Sequence, residues 1–310
     1  SPILTSLRDH PLLRRLCLRG YPLDLTGLES VLLSDTSKIT ELDIIQMSYG
    51  GSPIIGLTSV LQALAHRPTL TKLALRRVCL LRDEARQLCM VLRSIPSLHS
   101  LVLNNGFLGS AGLAEVALAL YQNTSIKVLD MSWNDLNDMD SARLLRDIIR
   151  NNNTMTSLDL SGNRFGVTAG AVELIADGLG SNSTLLTIDL TGCALGDDGV
   201  SILAQGLGSR NTTLQELILC WNAITSTGVS VLLDTMEQSS HHITDLDLQG
   251  NPIGNEGASL LARSLGKNAL LSLTSLSLCH VWMTDDGFIA LVSALEPNTS
   301  LLQLDLRSPF

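Results

Sequence analysis

The sequence predicts an α/β solenoid of about eleven strand–helix repeats, a horseshoe with a parallel sheet on its concave face and helices on its convex face. Three observations lead there. One apolar phrase returns about every 29 residues from Leu13 to Leu301, a period typical of stacked repeats. Each return alternates apolar and polar residues, then passes into an apolar period near 3.6. Hydrophobic residues make up 45% of the 310 residues but aromatics only 3%. That composition suits many thin, alike layers of Leu, Ile, Val and Ala better than one large core.

With the first apolar residue of each phrase numbered position 1, apolar residues recur at positions 4 and 6. The phrase runs through Leu13/Leu16/Leu18, Ile39/Leu42/Ile44, Leu70/Leu73/Leu75, Leu98/Leu101/Leu103 and Ile126/Leu129/Met131. It continues through Met155/Leu158/Leu160, Leu185/Ile188/Leu190, Leu214/Leu217/Leu219, Ile243/Leu246/Leu248, Leu273/Leu276/Leu278 and Leu301/Leu304/Leu306. Positions 3 to 7 alternate as a strand with one buried face does. Position 9 holds Asn134, Asn163, Asn222 and Asn251, with Cys193 standing in once. There the chain turns inward, and a buried amide can satisfy backbone groups of the turn. The second half of each phrase, as in residues 112–121 and 257–265, carries one apolar helical face. Strand and helix in each repeat build a right-handed superhelix.

The phrases Leu-Asp-Leu-Ser-Gly-Asn (158–163), Leu-Ile-Leu-Cys-Trp-Asn (217–222) and the stretch 246–257 resemble the ribonuclease-inhibitor-like class of leucine-rich-repeat proteins. The resemblance covers essentially the whole chain and implies the fold. It is silent on function, because inhibitors, GTPase activators, immune sensors and scaffolds share it. The outer repeats depart most, with Tyr21, Met47, Val78, Gly106 and Val281 at position 9. The longest spacing between phrases places a loop insertion at Ser48–Pro53, either a neutral bulge or part of a binding face. The chain starts inside what reads as the tail of a repeat and stops after an eleventh strand. Residues 1–310 are therefore expected to be a single repeat domain cut from a longer protein.

Several function classes fall away. The net charge of −9 argues against nucleic acid, which wants a basic surface. No apolar run is long enough to span a membrane, and no signal peptide is visible. The six scattered cysteines, without CxxC spacing, point to reduced thiols in the cytoplasm or nucleus. The histidines share no repeat phase, and no catalytic or phosphate-cradling motif is present. His241-His242 reads as an exposed loop rather than a metal site. Cys89 and Cys193 read as structural. Sequon-like asparagines at 123, 152, 182, 211 and 298 each precede a strand at one repeat phase. They are expected to serve the helix-to-strand turn through the left-handed conformation that Asn tolerates.

The informative positions are those a strand turns away from the core: 3, 5 and 7, with 8 beside them. Position 5 carries Asp130, Asp159, Asp189 and Asp247, and position 3 adds Glu216 and Asp245. Basic residues gather early, Arg76 and Arg77 among them. Trp133 and Trp221 both hold position 8. The aspartates read either as polar filler habitual to such repeats or as an electrostatic stripe, and the tryptophans as interface anchors or as local packing. The expected function is a non-catalytic protein-interaction module. Its concave face would bind a partner of basic character, with no cofactor, metal, nucleic acid, membrane or small molecule. Two alternatives share the fold. A GTPase activator would use Arg164 or Arg77, and a GTPase assay separates it; a sensor or autoinhibitory segment of an immune-type receptor would show a nucleotide-binding domain upstream.

Overall fold

The computed structural model describes residues 7, 10, 12–20, 22–47, 54–238 and 242–307. Tyr21, the Ser48–Pro53 insertion and His241 lie outside them. Eleven strands follow in order: β1 (Arg15–Gly20), β2 (Glu41–Gln46), β3 (Lys72–Arg76), β4 (Ser100–Val102), β5 (Val128–Asp130) and β6 (Ser157–Asp159), then β7 (Thr187–Asp189), β8 (Glu216–Ile218), β9 (Asp245–Asp247), β10 (Ser275–Ser277) and β11 (Gln303–Asp305). They form one sheet in sequence order. Between them lie α1 (Leu28–Leu32), α2 (Leu57–Leu64), α3 (Arg82–Ser94), α4 (Gly109–Gln122) and α5 (Met139–Asn151). The series continues with α6 (Ala171–Ser181), α7 (Gly196–Arg210), α8 (Ser226–Gln238), α9 (Gly254–Gly266) and α10 (Asp285–Ala294).

Two compact units divide the chain. The first comprises residues up to Leu136 with Asn151–Leu158, the second Asn137–Arg150 and the chain from Asp159 on. In the first unit, β1 to β5 pair in parallel, with Leu16, Leu42, Leu73, Leu101 and Leu129 in one register row. In the second, Ile188, Leu217, Leu246, Leu276 and Leu304 form the equivalent row. All but Leu304 of that second row are buried. A one-residue slip in any strand would turn these side chains to water, so the apolar phrase sets the register.

From β4 on the strands span only positions 3 to 5, shorter than the alternation over positions 3 to 7 predicts. The position-5 aspartate is the reason. Asp159 and Asp189 accept hydrogen bonds from the backbone N–H of Ser161 (2.8 Å) and Thr191 (2.8 Å), and Asp247 accepts from Gln249 (2.9 Å). Asp130 does the same for Ser132 (3.0 Å). A carboxylate bonded two residues ahead opens a turn and ends the ladder.

The turn then takes a fixed backbone path. Position 8 is left-handed from β3 to β10, at Arg77, Asn105, Trp133, Gly162, Gly192, Trp221, Gly250 and His280. Position 10 is left-handed at Phe107, Asp135, Arg164, Ala194, Ala223 and Trp282. Between them the position-9 asparagines are at most 1% exposed. Asn222 donates from Nδ2 to the Leu190 carbonyl of the preceding repeat (2.8 Å) and to Cys220 (3.1 Å). Asn251 donates to Leu219 and accepts from the Asn222 and Ile224 amides. Cys193 fills the same slot, its thiol directed at the Leu160 carbonyl (3.4 Å).

A second asparagine ladder joins helix to strand. Asn123, Asn152, Asn182, Asn211 and Asn298 each donate to a carbonyl near the end of the preceding helix. Each carbonyl oxygen in turn accepts backbone N–H groups two and three residues on. The role matches the sequence expectation, but the conformation differs. Asn123, Asn182 and Asn211 are extended, with ψ of 135°, 136° and 122°, because the chain leaves the helix directly into a strand.

Candidate protein-docking face

Alternation turns positions 3, 5 and 7 of each strand to the sheet face opposite the buried leucine row. In the second unit this face brings Glu216 beside Asp245 and sets Asp247 one pair further along β9. A depression of about 220 Å³ lies over β8 to β11, and four carboxylates line it: Glu216, Asp245, Asp247 and Asp305. Neighbouring strands are only about 4.8 Å apart, so unpaired carboxylates directly across from one another repel. Hydroxyls moderate this: Thr187 donates to Glu216 (3.0 Å) and Thr244 to Asp245 (2.5 Å). Arg307 supplies the one cation of the lining and grips Asp305 through Nε and Nη2 (2.6–3.0 Å). That grip holds the Asp305 carboxyl well below the usual carboxylate range.

The field of this face registers on a thiol. Burial pushes Cys220 up to about 12, and the nearby carboxylate of Asp247 adds to the shift. Burial likewise raises Cys193 to about 12. Neither is a nucleophile, since the reactive form is the thiolate. All six cysteines are free. Among the described residues no group of three or more His, Cys, Asp or Glu could hold a metal, and no helix is long and apolar enough to cross a membrane.

Trp221 leaves the turn with a left-handed backbone and is 57% exposed. Its ring covers Gly250, where an added Cβ would collide with the indole, and stacks on His280 with centroids 6.3 Å apart. In the same unit Asp159 and Asp189 hold their turns as described above, and Arg164 is exposed at a left-handed position.

The first unit carries a different pattern. Arg76 is drawn to Asp43 (3.4 Å) and Arg15 to Glu41 (2.7 Å), so its basic side chains are partly spent on their own strands. Arg77 is half-buried on a left-handed backbone. Asp130 bonds both the amide and the hydroxyl of Ser132. Trp133 stands 58% exposed, also left-handed. Asp305, Arg307, His280 and Trp282 were not singled out as site residues from the sequence. For Asp305 the signal was present, since it is the last of the position-5 series.

A family model described as leucine-rich repeat matches residues 122–138, 151–171, 181–204, 210–233 and 239–262. The human protein "NACHT, LRR and PYD domains-containing protein 5" is 30% identical over 230 residues, covering 73% of this chain and 18% of its own length. The human "NACHT, LRR and PYD domains-containing protein 13" is 27% identical over 215 residues, 69% of this chain and 20% of its own. The chain thus spans about a fifth of these relatives. Among solved structures, the leucine-rich-repeat-containing protein LegL7 from Legionella pneumophila aligns with a TM-score of 0.64 at 22% identity, covering 94% of this chain and 91% of that one. That likeness is one of fold. Leucine-rich-repeat domains are typically protein-interaction modules and generally non-catalytic. By its parallel strand–helix repeats, its asparagine turns and these matches, the chain is a leucine-rich-repeat protein of the ribonuclease-inhibitor-like type.

Proposed function

We propose that the chain is a non-catalytic docking module whose partner, a protein with a basic segment, binds the sheet face opposite the helices. The observation that carries this reading is the concentration of carboxylates around the depression over β8 to β11, with one arginine among them. Asp159 and Asp189 extend the negative face along the second unit. Trp221 supplies an apolar anchor beside it, an amphipathic ring of the kind enriched at interface hot spots. In the first unit, Arg76, Arg77, Asp130 and Trp133 offer a mixed surface of their own. Short strands with bonded turns hold these side chains at fixed spacing, so docking loses little conformational entropy. The unbroken repeat phase supports a single domain over residues 1–310. Six free thiols support a cytoplasmic or nuclear setting. The acidic face supports neither nucleic acid nor anionic lipid as the ligand, and no cofactor enters the reading.

Capture from a source lysate with wild type and an E216Q/D245N/D247N variant tests it. Basic partners should be retained by wild type and lost by the variant at physiological salt. Equal recovery by both would move the site off this face. A second reading is favoured by the relatives, whose printed names join LRR to NACHT and PYD domains: the repeats would be the sensing segment of a multidomain receptor. Sequencing the full transcript for a nucleotide-binding domain upstream decides it.

A further inference from the structure

The turn edge of the second unit carries an aromatic row that the sheet-face carboxylates do not explain. Trp221 reaches across Gly250 to His280, so one stack bridges three successive turns. Two residues beyond His280 stands Trp282, at 78% the most exposed tryptophan of the chain. All three aromatic residues sit on left-handed backbone, with φ of 55°, 57° and 58°. The fold does not ask for rings there. Gly192 and Gly250 hold the position of Trp221 and His280 in neighbouring turns, and Ala194 and Ala223 hold that of Trp282. A bulky side chain in this conformation costs energy, and an exposed ring recovers little of it by burial.

The charge around the row is one-sided. The turns and helix starts at 190–198, 219–228, 248–257 and 278–287 contain five carboxylates and neither lysine nor arginine. Asp197 is engaged by Thr225 and Gly228, and Glu256 accepts from Ser226. Asp198, Asp285 and Asp286 are exposed in the first turns of α7 and α10. We infer that this edge is a docking surface for a cationic, apolar-bearing peptide segment of a partner protein. Its apolar side chains would seat on Trp221 and Trp282, and its lysines or arginines would face the acidic helix starts. An anionic membrane or a nucleic acid would be repelled by the same carboxylates. The inference shares Trp221 with the sheet-face reading but does not depend on the strand carboxylates.

The three tryptophans give three ¹⁵N indole signals, assignable by single substitution. We would titrate the chain with a peptide of alternating leucine and lysine, a control with glycine in place of leucine, and one with glutamate in place of lysine. Trp221 and Trp282 should shift together and saturate while Trp133 stays still. The glycine control should bind about tenfold more weakly or worse, as expected when anchor burial is lost. The glutamate peptide should move nothing. Trp282→Ala should weaken the leucine–lysine peptide by about tenfold with an unchanged melting midpoint, whereas E216Q/D245N/D247N should leave the Trp282 shift in place. Failure of the sheet-face reading would appear in the capture experiment and leave these shifts intact. A Trp282 signal that stays still at saturating peptide overturns the inference. So does a shift produced by phosphatidylserine vesicles or by changing protein concentration alone, which would assign the edge to a membrane or to a second copy.

Discussion

The position-9 asparagine performs one task wherever it occurs: its amide joins the turn of its own repeat to the carbonyl of the repeat before. Removing it leaves buried backbone groups unpaired. Asn222→Ala and Asn251→Ala should therefore each cost about 1–3 kcal/mol in denaturant unfolding. Cys193 sits in the same slot with a weaker donor, so Cys193→Asn should hold stability or raise it. A loss above about 1 kcal/mol would show the slot to be narrower than its neighbours. The tryptophans at position 8 call for the opposite test. Trp133→Gly relieves a left-handed backbone worth about 1–2 kcal/mol and forfeits only a half-exposed ring. Unfolding should show equal or higher stability, whereas a clear loss would make Trp133 a packing residue. The position-5 aspartates have a structural use that sequence patterning left open between filler and stripe. The hint was readable in Asp130-Met-Ser, Asp159-Leu-Ser and Asp189-Leu-Thr, where a short polar residue follows at the bonded position. The hydrogen bond that ends the strand was not, because alternation alone continues to position 7.

At the scale of the element, each helix start is secured by the repeat before it. Asp197, in the first turn of α7, accepts from the Thr225 amide (2.8 Å), the Thr225 hydroxyl (2.6 Å) and the Gly228 amide (3.0 Å) at the start of α8. Asn255 holds Thr284 before α10 in the same way. Asp197→Ala should cost about 1–2 kcal/mol, the range of lost caps, and Asp197→Asn less, since an amide oxygen still accepts. Urea unfolding of both variants measures the difference. No sequence rule for a cap within one helix could have found this pairing, because donor and acceptor lie 28 to 31 residues apart. Strand phrase and helical period were legible because they repeat. The left-handed turn was legible only at Gly162, Gly192 and Gly250, which is why Trp282 at position 10 drew no notice. The buried thiols add a pH dependence. Cys193 and Cys220 titrate near 12 in the fold and near 9 when exposed, so folding excludes the thiolate. Their contribution is fully present below about pH 8.5 and declines as pH rises from there toward 12. Native-state alkylation at pH 8 should spare both and should reach them once the chain is unfolded.

At the scale of the whole molecule, the same few interactions recur with each repeat and leave the outward strand positions free to vary. In the second unit they vary toward negative charge, and in the first toward paired arginines and carboxylates. A surface of that kind acts mainly on the rate of encounter and on its salt dependence. The asparagine substitutions at Asp245 and Asp247 keep side-chain size, and Asp247→Asn retains an oxygen for the Gln249 amide, so the fold should persist while the field is removed. The most direct measurement is the association rate of the captured basic partner with wild type and E216Q/D245N/D247N across a salt series. Wild type should associate faster at low salt with a steep dependence, and the variant should be slower and nearly flat at an unchanged melting midpoint. Identical rates and identical salt slopes for the two proteins would contradict docking on this face.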